Sequence, residues 1–550
     1  MTHHTHSTTP SGPDQPGPYV PQSGPYGNLN PYGGGQASGP VPSGPLPPGP
    51  VPSAPAAPAR RRFTGRPAAL LAAGVAALLA VGGAWFALSG DDGGGAGNDK
   101  PVAGADAGPS GAASGGRKEK GKEEAAGASA PDSAEAARLN AGRKPGDAKV
   151  LWYRANDVDL PSLGADVLGP WIVGDTVVTA MYRTVTAHSA VDGTLKWSLP
   201  LGTGICRAPQ NASPDGKIVL AVQERPGKKD DECRSLRMID LRTGKQVWQR
   251  KIAKEGGFDW FDDYSIVISG NTVTAGRNDH STAYRLSDGK QVFGRWKDSS
   301  CQPYAYAAGG PRLVAAVSCP SKDADKPQEE IHEVDPATGA SRWKYRLPRG
   351  YRVDHVYSVR PLVVSATDRA RERHGVVVLN DDGTKRSSLK GQGDYAAGCS
   401  DGLADEGNLQ NCQVVVDGST LYMATAPPPS LKKGNTIVAF DLRTGAELRR
   451  IPAPGSHTMM PLRMEGKNLI VHIRATVDEK ASGAVASVAP GATRPRVLLR
   501  FPLPTADAEW RFNGPRTLYE NGRFILVNHT VVGMDDEKEK ERPMMMAIGE

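Results

Sequence analysis

Met238-Ile239-Asp240-Leu241-Arg242-Thr243-Gly244-Lys245-Gln246-Val247-Trp248 is the stretch that decides the fold, because its chemistry returns along the chain. Phe440-Asp441-Leu442-Arg443-Thr444-Gly445-Ala446-Glu447-Leu448 repeats it, as does Val334-Asp335-Pro336-Ala337-Thr338-Gly339-Ala340-Ser341-Arg342-Trp343. Looser copies run from Ser189 to Trp197, Leu286 to Phe293, Leu379 to Gly383 and Val488 to Gly491. Each reads as a β-hairpin. A strand ends in apolar residues, Asp caps the turn with its side chain, and Gly takes the positive φ the turn requires. The returning strand then presents a Trp, Phe or Leu to a neighbouring sheet.

The turn glycines Gly193, Gly244, Gly289, Gly339, Gly383, Gly445 and Gly491 lie 51, 45, 50, 44, 62 and 46 positions apart. Each interval holds a second hairpin, for example Ser265–Ser269 and Thr272–Gly276 around Gly270-Asn271. Four strands in about fifty residues is the arithmetic of a propeller blade. Beyond the seventh turn, Arg516–Tyr519 and Arg523–Asn528 form an inner pair, and Met544–Ile548 a third strand with none after it. Lys149-Val150-Leu151-Trp152-Tyr153 reads as a fourth strand with none before it. Joined, they make an eighth blade. The predicted fold is therefore all-β, an eight-bladed β-propeller of four-stranded blades over residues 148–550.

The D-x-x-T-G-x-x-x-W pattern at Asp240, Gly244 and Trp248 resembles the repeat of quinoprotein-type, pyrroloquinoline-quinone-like propellers. The resemblance runs from Val150 to the C-terminus, close at three blades and degenerate in the rest. It implies eight blades with the repeat tryptophans packed between them. It leaves function open, because the fold hosts quinone dehydrogenases, assembly scaffolds and sensor domains. In fold the chain also resembles the scaffold propeller of outer-membrane protein assembly, from which the long tail and the missing lipid-anchor cysteine depart.

The first third has another texture. Residues 1–66 carry proline every few positions from Pro10 to Pro58, so they read as a disordered, Pro/Gly-rich cytoplasmic tail that cannot bury a core. Ala68 to Leu88 then gives 21 residues without a charge, enough helix to cross the ~30 Å hydrocarbon core. Arg60, Arg61, Arg62 and Arg66 precede it and Asp91 and Asp92 follow, so residues 67–89 are predicted as a transmembrane helix with the tail inside and the propeller outside. Residues 90–147, rich in Gly, Ala, Ser and mixed charge, are expected to be a flexible extracytoplasmic linker. The expected setting is a cell membrane, single-pass, in a bacterial envelope.

Net charge is +7, of which the tail supplies +3, leaving no concentrated basic face for nucleic acid. The six cysteines form no C-x-x-C pair. Taken consecutively as Cys206 with Cys233, Cys301 with Cys319 and Cys399 with Cys412, they suit three local disulfides in an oxidising compartment. All six map to the face where first strands begin.

Segments entering the blades on that face carry large groups. Arg207, Trp260, Tyr304, His355, Tyr395, His457 and Trp510 are the expected lining of an aromatic and basic funnel for a ligand. Catalytic motifs are weak. A G-x-S-x-G string at Gly398–Gly402 lacks the strand–turn–helix setting of a nucleophile. Asp262-Asp263 and Asp401, Asp405 and Glu406 match no calcium loop, and no histidine spacing suggests a metal. No acidic set matches a quinone enzyme's calcium site, and no Cys-Cys pair is present. The expectation is a non-catalytic binding or scaffold module for a protein or envelope ligand, without cofactor. The alternatives are an oxidoreductase using pyrroloquinoline quinone and calcium, or a ligand-sensing domain signalling through a separate partner.

Overall fold

The structure is a computed structural model. It describes residues 129–550, except 226–230, 255–258, 260, 262–263, 278–279, 295, 297–300, 324–327, 369, 372, 392–393, 400–406, 430–431 and 534. Before residue 129 it describes only the short strands Gly17–Pro18 and Val20–Gln22. The expected span 67–89 lies outside the described residues. Among the latter, no helix is long and apolar enough to cross a membrane.

The described chain forms eight sheets that are blades of a propeller. Blade one is Ala165–Val173, Thr176–Met181, Thr184–Ser189 and Leu195–Pro200. Blade two is Ile205–Arg207, Lys217–Val222, Ser235–Asp240 and Lys245–Lys251. Blades three, four and five begin at Tyr264–Ser269, Gln302–Gly309 and Tyr351–Val359. In blade six two short pieces, Asp394–Ala396 and Val415–Val416, share the first-strand position, both pairing with Thr420–Thr425. Blade seven begins at Met459–Glu465. Blade eight joins Arg516–Glu520, Arg523–Val527 and Pro543–Gly549 to Lys149–Ala155, so the two ends of the domain close the ring as expected.

The turn chemistry is as the repeat predicts. The seven glycines have φ between +67° and +82°. The carboxylates of Asp192, Asp240, Asp288, Asp335, Asp382 and Asp441 accept backbone N–H groups two residues on. In five of the eight blades the fourth strand carries a Trp or Phe that lies against the turn glycine of the next blade. Trp152 covers Gly193, Trp197 covers Gly244, Trp248 covers Gly289, Phe293 covers Gly339 and Trp343 covers Gly383. Indole N–H groups fix three of these stacks by donating to the next turn: Trp152 to Ala190 O at 3.2 Å, Trp248 to Leu286 O at 2.8 Å and Trp343 to Asp381 O at 2.9 Å.

Between each neighbouring pair of blades lies one apolar cluster. This explains why middle strands such as Thr176–Met181 and Leu362–Asp368 are buried on both faces, while the outer strand Ser341–Arg346 alternates. A sheet covered on both sides needs apolar or small residues at every position, whereas the rim keeps one wet side.

Two features depart from expectation. Residues 129–147, expected within the flexible linker, pack on the domain. Asp132 caps the helix Ser133–Asn140, whose Leu139 is fully buried with Phe501, Ala508 and Phe512 between blades seven and eight. Asn140 ties the helix end to the closing strand, exchanging two hydrogen bonds of 2.9 Å with Val150. In the tail, Gly17–Pro18 pairs with Val376 and Gly375, and Val20–Gln22 runs parallel to Asp394–Ala396.

Candidate binding face

In each blade the first strand begins, and the second ends, on one face of the ring. All six cysteines sit there, bonded as 206–233, 301–319 and 399–412. The loops they close span 27, 18 and 13 residues. Each staple contributes roughly 2–4 kcal/mol by restricting the unfolded chain.

The third staple has a larger consequence. Cys399 and Cys412 close the base of an insertion between the two first-strand pieces of blade six. The carbonyl of Leu409 accepts the Val356 N–H of blade five at 2.7 Å, and Gln410 Oε1 accepts the Ala308 N–H of blade four at 2.7 Å. Asn408 Nδ2 donates to Gln210 Oε1 of blade two at 3.3 Å. Blades six and two stand opposite each other in an eight-membered ring, so residues 408–410 cross the central channel. Gln210 follows the first strand of its blade, which places this crossing toward the mouth opposite the disulfides.

The expected funnel residues separate into different roles. His457 and Trp510 come together at the mouth of blade seven through Arg474. The Arg474 guanidinium lies 3.6 Å from the centre of the Trp510 ring, a cation–π stack. His457 Nδ1 donates to the Arg474 carbonyl at 2.7 Å, and Trp510 Nε1 donates to Thr476 O at 3.0 Å. Helix Thr505–Arg511 carries Trp510 and is anchored by Glu509. That buried carboxylate accepts the Ala475 and Gly483 N–H groups at 3.2 Å each and lies 3.3 Å from His472 Nε2. The His457 and Trp510 rings and the Arg474 cation are all partly exposed, so this patch can hold an aromatic or acidic group.

Tyr304 and His355 sit at two other mouths. Tyr304 is the extra residue of a β-bulge in the first strand of blade four, a device that re-aims a side chain. Its hydroxyl donates to Glu329 Oε2 at 2.8 Å, and burial drives both groups toward their neutral forms. Glu329 also accepts the Val353 N–H at 2.8 Å, so the contact joins blades four and five. His355 stacks nearly parallel to Tyr357 at 6.5 Å and faces the Cys399–Cys412 pair. Burial lowers its imidazole to about 4, against a nearby Asn411.

Tyr395 and Arg207 do not line an open funnel. Tyr395 is fully buried edge-on against Phe440 at 5.5 Å, filling the blade five–six interface that lacks a fourth-strand aromatic. Arg207 is buried and donates to the Cys206 carbonyl at 3.0 Å. Trp260 lies outside the described residues, as do Ser400, Asp262, Asp263, Asp401, Asp405 and Glu406.

Sequence reasoning missed three things. Arg474 carried no motif. Arg277 and Asp259 form a fully buried, two-pronged ion pair at 2.7 and 3.2 Å, with Phe261 against the guanidinium, at the mouth of blade three. On the opposite face, a cavity of about 400 Å³ opens between blades one and two, lined by Trp171, Val173, Gln210, Asn211, Pro214 and Arg242. Its only sequence signal is the long connection 208–216 between the first and second strands of blade two.

A family model described as outer membrane protein assembly factor BamB matches residues 136–303. Among solved structures, the chain is similar to BamB from Moraxella catarrhalis at 13% identity, covering 70% of this chain and 98% of that one, with a TM-score of 0.39. It is similar to the dihydro-heme d1 dehydrogenase NirN at 15% identity, covering 72% and 75%, with a TM-score of 0.39. A eukaryotic initiation factor matches at 12% identity over 68% and 84%, with a TM-score of 0.41. Comparison with curated proteins returns no match.

Proposed function

We propose that this chain, whose folded part is a propeller of PQQ-like repeats, is a non-catalytic binding or scaffold module. It is held outside the cell membrane by the apolar span 68–88 and offers its disulfide-stapled face to a protein or envelope ligand. The observation that carries this reading is the crossing of the channel by residues 408–410. A planar cofactor on the propeller axis would need the space those residues hold, whereas a partner docking on the face would not. The three staples support the same reading, because loops held in place lose less entropy on binding. The family match, described by the name of an assembly factor, also favours a protein partner over a small substrate.

Anchoring by the span puts residues 1–66 across the membrane from the propeller. The pairing of Gly17–Gln22 with blades five and six is then not available within one inserted chain.

Protease added to intact cells tests the topology: the propeller should be reached while an epitope in residues 1–60 stays protected. For the non-catalytic part, the full chain is titrated with pyrroloquinoline quinone and calcium. Saturable binding with quinone absorbance would overturn the proposal and make this an oxidoreductase.

A further inference from the structure

The mouth of the channel brings a histidine against one of the three staples. One ligand atom each from His355, Cys399 and Cys412 lie within 4.8 Å of one another, all on partly buried residues. Among the described residues, buried His355 Nδ1 has no hydrogen-bond partner, an orphaned acceptor or donor beside two sulfurs. Its rigid first strand holds it there independently of the cysteines. The Met460 methyl end and the Gln413 side chain pack against Gly398, next to Cys399, and Asn411 lies beside Cys412.

We propose that Cys399, Cys412 and His355 form a redox-gated copper(I) site, closed while the disulfide is intact and formed when it is reduced. A dithiol reductant delivers two electrons and two protons to the disulfide and is itself oxidised to a disulfide. Copper(I) then displaces both thiol protons and takes two thiolates and the neutral imidazole nitrogen. Thiolate sulfur selects soft ions, and a set of three donors suits copper(I), whereas zinc takes four. Because the same two cysteines close the insertion that crosses the channel, copper would hold the insertion's base together after the S–S bond is gone.

The test uses the full chain, reduced anaerobically with a phosphine and titrated with copper(I) against bicinchoninate. The reduced protein should bind one equivalent more than a Cys399→Ser, Cys412→Ser variant, and the oxidised protein should lack that equivalent. His355→Gln should weaken this site by 10-fold or more. A Cys206→Ser, Cys233→Ser variant, which loses another staple of the same face, should retain it, and the far-ultraviolet spectrum of each variant reports its fold. Equal copper uptake by the parent and the Cys399→Ser, Cys412→Ser variant would overturn the assignment. So would unchanged affinity in His355→Gln.

Discussion

Replacing Gly193 by alanine, beside the same change at Gly491, isolates what the stacked aromatics contribute to the ring. Both glycines have left-handed backbone, with φ of +71° and +77°. A Cβ in that region costs about 1–2 kcal/mol at either position. The surroundings differ. At Gly491 nothing among the described residues lies within 4 Å of the new carbon, because the preceding blade's outer strand, Glu447–Pro452, has no aromatic. At Gly193 the carbon would fall 2.8 Å from Trp152, whose ring is 1% exposed and held by the Ala190 carbonyl. Overpacking of that kind adds about 1–3 kcal/mol. Gly491→Ala should therefore cost about 1–2 kcal/mol and Gly193→Ala about 2–5. Urea unfolding of the full chain measures both as midpoint shifts at unchanged slope. A Trp152→Ala background should remove the excess at Gly193, because the clashing partner is gone. Equal costs at the two glycines, or full additivity with Trp152→Ala, would refute the role given to the stack.

Glu509→Ala strands two buried backbone N–H groups and leaves His472 without its carboxylate. It should cost roughly 3–5 kcal/mol, and Glu509→Gln clearly less, as read from thermal melting. Glu135 links helix Ser133–Asn140 to Arg138 and Arg511, and the Arg138 hydrogen bond, foremost, lowers its carboxyl to about 2. A depressed carboxyl stabilises the docked state above the unfolded value near 4.5 and loses that contribution as pH falls toward 2. Hydrogen exchange of residues 133–140 should therefore quicken across that window in the parent but not in Glu135→Gln. Asn408→Ala and Gln410→Ala together should speed amide exchange at Ala308, which loses its acceptor across the channel, while Ser235–Asp240 stays protected.

The blades were legible because their information is local. An Asp and a Gly four residues apart specify the turn at Gly244 whatever surrounds it, and an indole in four of the eight blades marks the interface it fills. Closure was legible because the strand at 149–155 has no hairpin partner in sequence, and the one at 543–549 pairs back to 523–527 on one edge and leaves its other edge open for it. The even number and consecutive spacing of the cysteines suggested local pairs without fixing them, and the bonds formed are the consecutive set. What depends on distant contacts was not legible. Asn408 meets Gln210 198 positions away, and only the 62-residue interval between Gly383 and Gly445 hints at inserted chain. Leu139 finds Phe501 and Ala508 more than three hundred positions on, so a short, weakly amphipathic helix read as linker. Tyr395 shares its setting in sequence with Tyr304, yet one is packed into an interface and the other hydrogen-bonds at a mouth. Nothing in the local pattern separates them.

The central claim is that the disulfide face is where a partner docks. A photo-crosslinking residue at Lys480, whose side chain is 84% exposed on the loop that carries Thr476 beside Trp510, is compared in the native envelope with one at Asn211 on the opposite face. The account predicts a discrete crosslinked partner from position 480 that weakens with Arg474→Ala, and none from position 211. A partner captured from position 211 alone, or from neither position, would contradict it.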